Sequence, residues 1–290
     1  MKRYLKFLKI FVFLIMIPLM ITQTYATNKR PHKKVRQTAT KVAKVAQKIN
    51  NIPEDNSIEP LTVDCAFSIG GWCICARHLE NNKLRKTACP LDWMTRYSID
   101  TAAHFFETKF ADFFENIEIV QEKEHDGNRI VNDTKNHIQS IHYMPASIPF
   151  NQAYAEFKET MSRRAKKVDF VLSNSKSVLL VNCRYDEEGA KNSTDAELKN
   201  FARRFSKTYP NLQKIYLMDI HNDNDMKIRK RIVHDDGKIK IIQYKFKNID
   251  KKHFYPGWMG NQVAWKELMK HIHLTNTVQE DNGIHATLFA

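Results

Sequence analysis

Ser177-Val-Leu-Leu-Val-Asn-Cys183 is a short, continuous apolar run, the pattern of a strand buried on both faces. Downstream, Thr194-Asp-Ala-Glu197 has the Thr-x-x-Glu spacing of a capping box. In such a box the hydroxyl and the carboxylate each satisfy a free N–H at a helix start. Leu198, Phe201, Ala202 and Phe205 follow at helical spacing, Pro210 closes the segment, and Lys214 to Ile220 reads as the next strand. Strand, helix, strand over residues 177–220 is a βαβ unit, whose strands pair in parallel through a right-handed crossover. The expected fold class is therefore α/β: three layers, with a mostly parallel sheet flanked by helices.

The flanking sequence extends this pattern. Arg229 to His234 and Lys238 to Phe246, joined through Asp235-Asp236-Gly237, predict a C-terminal β-hairpin, and Trp258 to Ile272 predicts a closing helix. On the other side, Asn151 is placed to cap a helix whose Tyr154, Phe157, Met161, Ala165, Val168 and Leu172 fall three or four apart. Its acidic residues come early (Glu156, Glu159) and its basic ones late (Arg163, Arg164, Lys166, Lys167), as the helix dipole favours. His137 to Met144 reads as a strand ending at Pro145. Ser98 reads as the N-cap of a helix burying Ile99, Ala102, Phe106, Phe110 and Phe113. Val63 to Ile69 is an apolar, strand-like run that stops at Gly70-Gly71, where Cys73 opens a short helical segment.

The termini have a different character. Lys2, Arg3, Lys6 and Lys9 precede an apolar run, Ile10 to Ile21, that is too short for an ordinary membrane span. Thr24-Tyr-Ala26 then supplies small residues, so residues 1–26 are expected to be a signal peptide, or an uncleaved anchor. Residues 27–60 read as a basic and polar linker, 61–275 as the α/β domain and 276–290 as a tail. The expected location is secreted or periplasmic.

The chain carries 46 Lys and Arg against 32 Asp and Glu, a net charge of +14 in 290 residues. Twelve of the basic residues and no acidic one lie within residues 1–48, leaving 34 against 32 in the remainder. The folded part is thus close to neutral, without the basic, aromatic-studded face of a nucleic-acid binder. The basic leader would instead be drawn to an anionic membrane or wall polymer.

The five cysteines are Cys65, Cys73, Cys75, Cys89 and Cys183. Their Cys-x-Cys spacing departs from the Cys-x-x-Cys pairs of zinc sites, so no metal and no other cofactor is expected. In an exported chain they could instead form disulfides.

Ligands of parallel sheets bind beyond the carboxyl ends of the strands. Cys73, His142, Arg184, Asp186, Asp219 and His221 all fall at such ends. A thiol at a helix N-terminus forms its thiolate more easily, and a cysteine nucleophile needs a base with an orienting partner. Cys73, His142 and either Asp186 or Asp219 meet that requirement in chain order. Gly71, Trp72 and Arg184 are candidates for holding the oxyanion or positioning the substrate.

Ser68-Ile-Gly-Gly-Trp-Cys73, then Ala76, Leu79, Arg85 and Pro90-Leu-Asp-Trp93, resemble the opening block of a bacterial family described as papain-like cysteine peptidases. Ile141-His142-Tyr143, the helix carrying Phe157, Arg163 and Arg164, and Trp258-x-Gly260 with Trp265 extend the resemblance, although Leu91 stands where the family usually has Phe. The resemblance implies a thiol hydrolase with Cys73 as nucleophile and His142 as base. It also implies a Cys helix packed on an antiparallel sheet that carries the histidine, which contrasts with the parallel pattern read above. The expected function is a thiol-dependent hydrolase of the envelope, acting on peptide, wall or surface-polymer substrates. The alternative is a non-catalytic, disulfide-stapled binding module for a glycan or protein partner, its tryptophans lining the binding face.

Overall fold

The computed structural model describes residues 57–122, 126–184, 192–248 and 257–275. The expected signal peptide, most of the linker, Asp186 and the 276–290 tail lie outside them. Backbone contacts divide the chain into Met1–Pro53 and Glu54–Ala290, and every described residue belongs to the second unit.

In chain order the first elements are β1 (Leu61–Val63), β2 (Cys65–Ser68), α1 (Cys73–Asn81), β3 (Met94–Thr95) and α2 (Ile99–Glu107). Next come β4 (Ile117–Gln121), β5 (Ile130–Asp133), β6 (Ile138–Ser140) and α3 (Phe150–Asn174). The C-terminal half holds β7 (Ser177–Cys183), α4 (Asp195–Thr208), β8 (Lys214–Asn222), β9 (Arg229–Asp235) and β10 (Ile239–Phe246). After a 3-10 turn (Gly257–Met259) it closes with α5 (Gln262–Met269) and β11 (Ile272–Leu274).

The main sheet has the order β2-β7-β8-β10-β9. Its first four strands are parallel and β9 returns antiparallel along the edge, which is the expected hairpin. Alternation along the strands divides the core in two. Phe67, Val178, Leu180, Ile215, Leu217 and Ile241 face α2, α3 and α4. Leu179, Val181, Met218, Ile220 and Ile242 face α1 and α5. Helices on both faces of a mostly parallel sheet give the expected three layers. The capping box at Thr194 and Glu197 is formed as read.

A second sheet was absent from the periodicity reading, and only the family resemblance implied an antiparallel one. Strands β3, β6, β5 and β4 form a four-stranded antiparallel sheet, and β1 pairs separately with β11. Several boundaries differ from the reading for local reasons. Helix α2 ends at Glu107, because Lys109 and Phe110 adopt positive φ and turn the chain. Phe110 and Phe113 are buried from that turn and not from a helical face. Helix α3 begins at Phe150 with Pro149 at its N-cap, where the missing proline N–H costs no hydrogen bond. The strand read over His137 to Met144 is only Ile138–Ser140, with His137 at φ 52 before it. The closing helix is interrupted by Gly260 (φ 64), where an added Cβ would lie 2.4 Å from Asn248 Oδ1.

Helix α5 is tied to α1 by a buried ring stack. The His78 ring stacks nearly parallel on that of Trp265, with centroids 4.5 Å apart, and its Nε2 donates to Met259 O at 2.8 Å. Burial lowers its pKa to about 4, outweighing the carbonyl bond that favours the charged ring. An unfolded chain binds that proton near pH 6.5. Stability from this group is therefore complete above about pH 6.5 and falls as pH drops toward 4, by about 3 kcal/mol in all. Urea unfolding at pH 7 and pH 4.5 should show this loss in the wild type and a smaller one in His78→Gln; equal losses would contradict it.

Candidate active site

The nucleophile candidate is placed by a tightly packed turn. After β2, Ile69 N–H donates to Val181 O, continuing the ladder for one residue. Gly70 then passes so close to β7 that a Cβ would sit 2.6 Å from Cys75 Sγ and 2.9 Å from the Cys183 backbone nitrogen. Only glycine fits there. Trp72 is the extended N-cap residue of α1, half-buried against the α1–α5 core, and Cys73 is the first helical residue.

His142 comes from the other sheet, in the turn after β6. Its Nε2 lies 3.6 Å from Cys73 Sγ, and its Nδ1 lies 2.9 Å from Asp126 Oδ2. With Nδ1–H donated to the carboxylate, the Nε2 lone pair faces the thiol. Asp126 lies just ahead of β5, and its Oδ1 accepts the Asn128 N–H at 3.1 Å. Partial burial works against the Asp126 anion, but the bonds from His142 and Asn128 win and hold its pKa below the usual range. The parallel sheet therefore supplies the thiol, and the antiparallel sheet supplies the imidazole and the carboxylate.

The thiol itself differs from the expectation. Burial pushes Cys73 up to about 11; its own backbone N–H and the Arg77 charge lower it only in part, and Asp92 adds to the rise. Desolvation thus outweighs the helix N-terminus, and the resting thiol is neutral at pH 7. Such a sulfur depends on a neighbouring base to become nucleophilic.

The other sequence candidates have different positions. Asp219 is not bonded to His142. It is 1% exposed within a polar row crossing the sheet, where it accepts from Asn182 at 2.6 Å and Gln243 at 3.0 Å and lies 2.7 Å from His221 Nε2. Neighbouring strands provide those partners because Asn182, Asp219 and Gln243 share one register line. Asp186 lies outside the described residues. Arg184, 3% exposed, donates to Ile69 O at 3.0 Å and to Tyr97 O, and it packs against Gly71. Its guanidinium braces the turn before Cys73 and does not face the thiol.

Around the pair stands a shell that begins with Asp92. This buried carboxylate accepts from Arg85 Nε at 2.7 Å and the Cys89 N–H at 2.9 Å, fixing the loop that carries Trp93 at φ 67. The Trp93 ring meets His142 edge-on, with centroids 6.3 Å apart. All five cysteines are free thiols, so the staples of the alternative reading are not present. Among the described residues no cluster of His, Cys, Asp or Glu is arranged to hold a metal ion.

Asp126 was missed in sequence, yet a signal for it exists. Asp126-Gly127 lies between the apolar runs of β4 and β5, and Asp-Gly between such runs marks a hairpin.

A thiol, an imidazole and a carboxylate in hydrogen-bonded order on an α/β scaffold define a cysteine-hydrolase-like class of site. Consistent with it, the chain belongs to the family described as "Putative papain-like cysteine peptidase (DUF1796)", whose model matches residues 64–214. No curated protein and no solved structure matches the chain.

Gly70→Ala tests the placement of the Cys73 thiol. The new methyl would collide with backbone that cannot withdraw, so urea unfolding should show a loss of about 1–3 kcal/mol. A crystal structure of the variant should show Cys73 displaced from His142. Unchanged stability and geometry would contradict the packing argument.

Proposed function

We propose that the protein is a thiol-dependent peptide hydrolase in which Cys73 attacks the scissile carbonyl and His142 moves the proton. The observation that carries this reading is the continuous contact from Cys73 Sγ to His142 to Asp126, 3.6 Å and 2.9 Å.

In the proposed sequence, Sγ forms a bond to the carbonyl carbon while the S–H proton passes to His142 Nε2. Asp126 keeps the ring in the Nδ1–H form and stabilises the imidazolium. The N–H groups at the start of α1, at Cys73 and after it, which a helix leaves without intrahelical partners, are the candidates for the developing oxyanion. Helix α1 suits this because its first turn has no acidic residue and no side-chain cap. Collapse of the intermediate breaks the C–N bond, and the leaving amine takes the proton from Nε2. Water, deprotonated by the same nitrogen, then cleaves the thioester and restores the thiol. A neutral resting thiol fits this base-assisted route, since the thiolate need only exist as the C–S bond forms.

Membership in a family described as peptidases supports peptide as the substrate. The basic residues Lys2 to Lys9 ahead of the apolar run Ile10 to Ile21, read as a signal peptide, support action after export, at the envelope or outside the cell.

The test is hydrolysis of a mixed peptide library by the purified protein, followed by mass spectrometry. Cys73→Ala should abolish cleavage. Asp126→Asn should lower kcat by about 10²-fold with a smaller change in KM, because the ring orientation is weakened more than binding. Cleavage that survives in Cys73→Ala, or no cleavage by the wild type, would overturn the proposal.

A further inference from the structure

Arg77 lies one helical turn after Cys73, on the same face of α1. Its guanidinium carbon sits 4.7 Å from the centre of the Trp93 ring and 5.9 Å from that of Trp258. Two indoles therefore flank one cation. Trp93 also contacts His142, so this cation stands beside the reacting groups. Trp258 is 48% exposed on the 3-10 turn before α5, an unusual position for so large an apolar ring.

The guanidinium is held but not consumed. Among the described residues its one carboxylate partner is Glu80, through Nη1 at 2.8 Å, and both side chains are over a third exposed. Such an i,i+3 surface pair contributes well under about 1 kcal/mol. Glu80 also serves Arg85, at 3.3 Å. Most of the five N–H donors of Arg77 thus remain available for a planar anion, and stacking on indoles fixes the plane without using any of them.

We propose that Arg77 is a specificity-determining residue that binds a carboxylate on the substrate, within one residue of the scissile carbonyl, with Trp93 and Trp258 holding its guanidinium in place. The substrates are then peptides bearing either an Asp or Glu side chain or a free α-carboxylate at that position. This rests on the hydrolase reading above, and it adds a substrate class to that reading. Arg77 also acts electrostatically on the Cys73 thiol, which places its field at the reacting sulfur.

The test uses the full chain and two small reagents of similar size. Cys73 is alkylated with iodoacetate, an anion, and with iodoacetamide, which is neutral, and its peptide is quantified by mass spectrometry. The ratio of the two rates cancels any change in thiol reactivity and reports the attraction of a carboxylate to the site. Arg77→Gln should lower that ratio by about three- to sevenfold at low salt, and Arg77→Lys should retain most of it. In the wild type, added salt should lower the ratio. Peptides with an internal Glu, a C-terminal carboxylate or an amidated neutral end then distinguish the two sources of the anion.

An unchanged ratio in Arg77→Gln, with Cys73 still reactive, overturns the role of Arg77 and leaves the hydrolase reading standing. A Cys73 inert to both reagents overturns both.

Discussion

The site depends on one buried junction, the turn at Ile69-Gly70-Gly71 gripped by Arg184 and Tyr97. Arg184, from the end of β7, donates to the carbonyl of Ile69 at the end of β2 and to that of Tyr97 beyond β3. The Tyr97 hydroxyl in turn donates to Gly70 O. Three backbone carbonyls that burial would otherwise leave costly are thereby satisfied. The same bonds join the parallel sheet, which leads into the helix bearing Cys73, to the antiparallel sheet, which carries the histidine. A guanidinium suits this task because its planar fork reaches two acceptors at once, with its carbon 5.0 Å from the Tyr97 ring.

The two-sheet arrangement resolves the contrast between the parallel pattern and the family resemblance. The βαβ unit is formed by β7, α4 and β8, β2 and β10 extend the same sheet in parallel, and a histidine just beyond a strand of an antiparallel sheet is also present. Cys73 follows the edge strand β2, and the segment between β2 and β7 has room for α1, α2, α3 and a complete four-stranded sheet. That insertion brings His142 and Asp126 over the end of the main sheet, to Cys73.

Legibility followed the range of the interactions. Strand β7 and the α4 capping box were readable because continuous apolarity and a three-residue spacing are local signals. Cys73 and His142 were readable as candidates from residue type and their place after strands, and the structure brings the two within 3.6 Å. The carboxylate was not, because proximity to a strand end says nothing about what the neighbouring strands offer. Asp219 is claimed by Asn182 and Gln243, which only sheet register brings beside it. The breaks at Lys109, Trp93 and His137 were equally silent, since each is a non-glycine residue held at positive φ by its tertiary surroundings. The thiol was misjudged for a related reason: a helix N-terminus is visible in sequence, whereas the desolvation that overrides it is not.

The central claim is that His142 acts on a neutral, buried Cys73 thiol. The most direct measurement is the second-order rate of Cys73 alkylation by iodoacetamide from pH 6 to pH 10, in the wild type and in His142→Ala. If the imidazole serves the sulfur, the wild type reacts at least about tenfold faster near neutral pH. The variant then reacts appreciably only as pH rises toward the thiol's own value of about 11. Superimposable profiles would mean that the two side chains are neighbours without being partners, and would contradict the account.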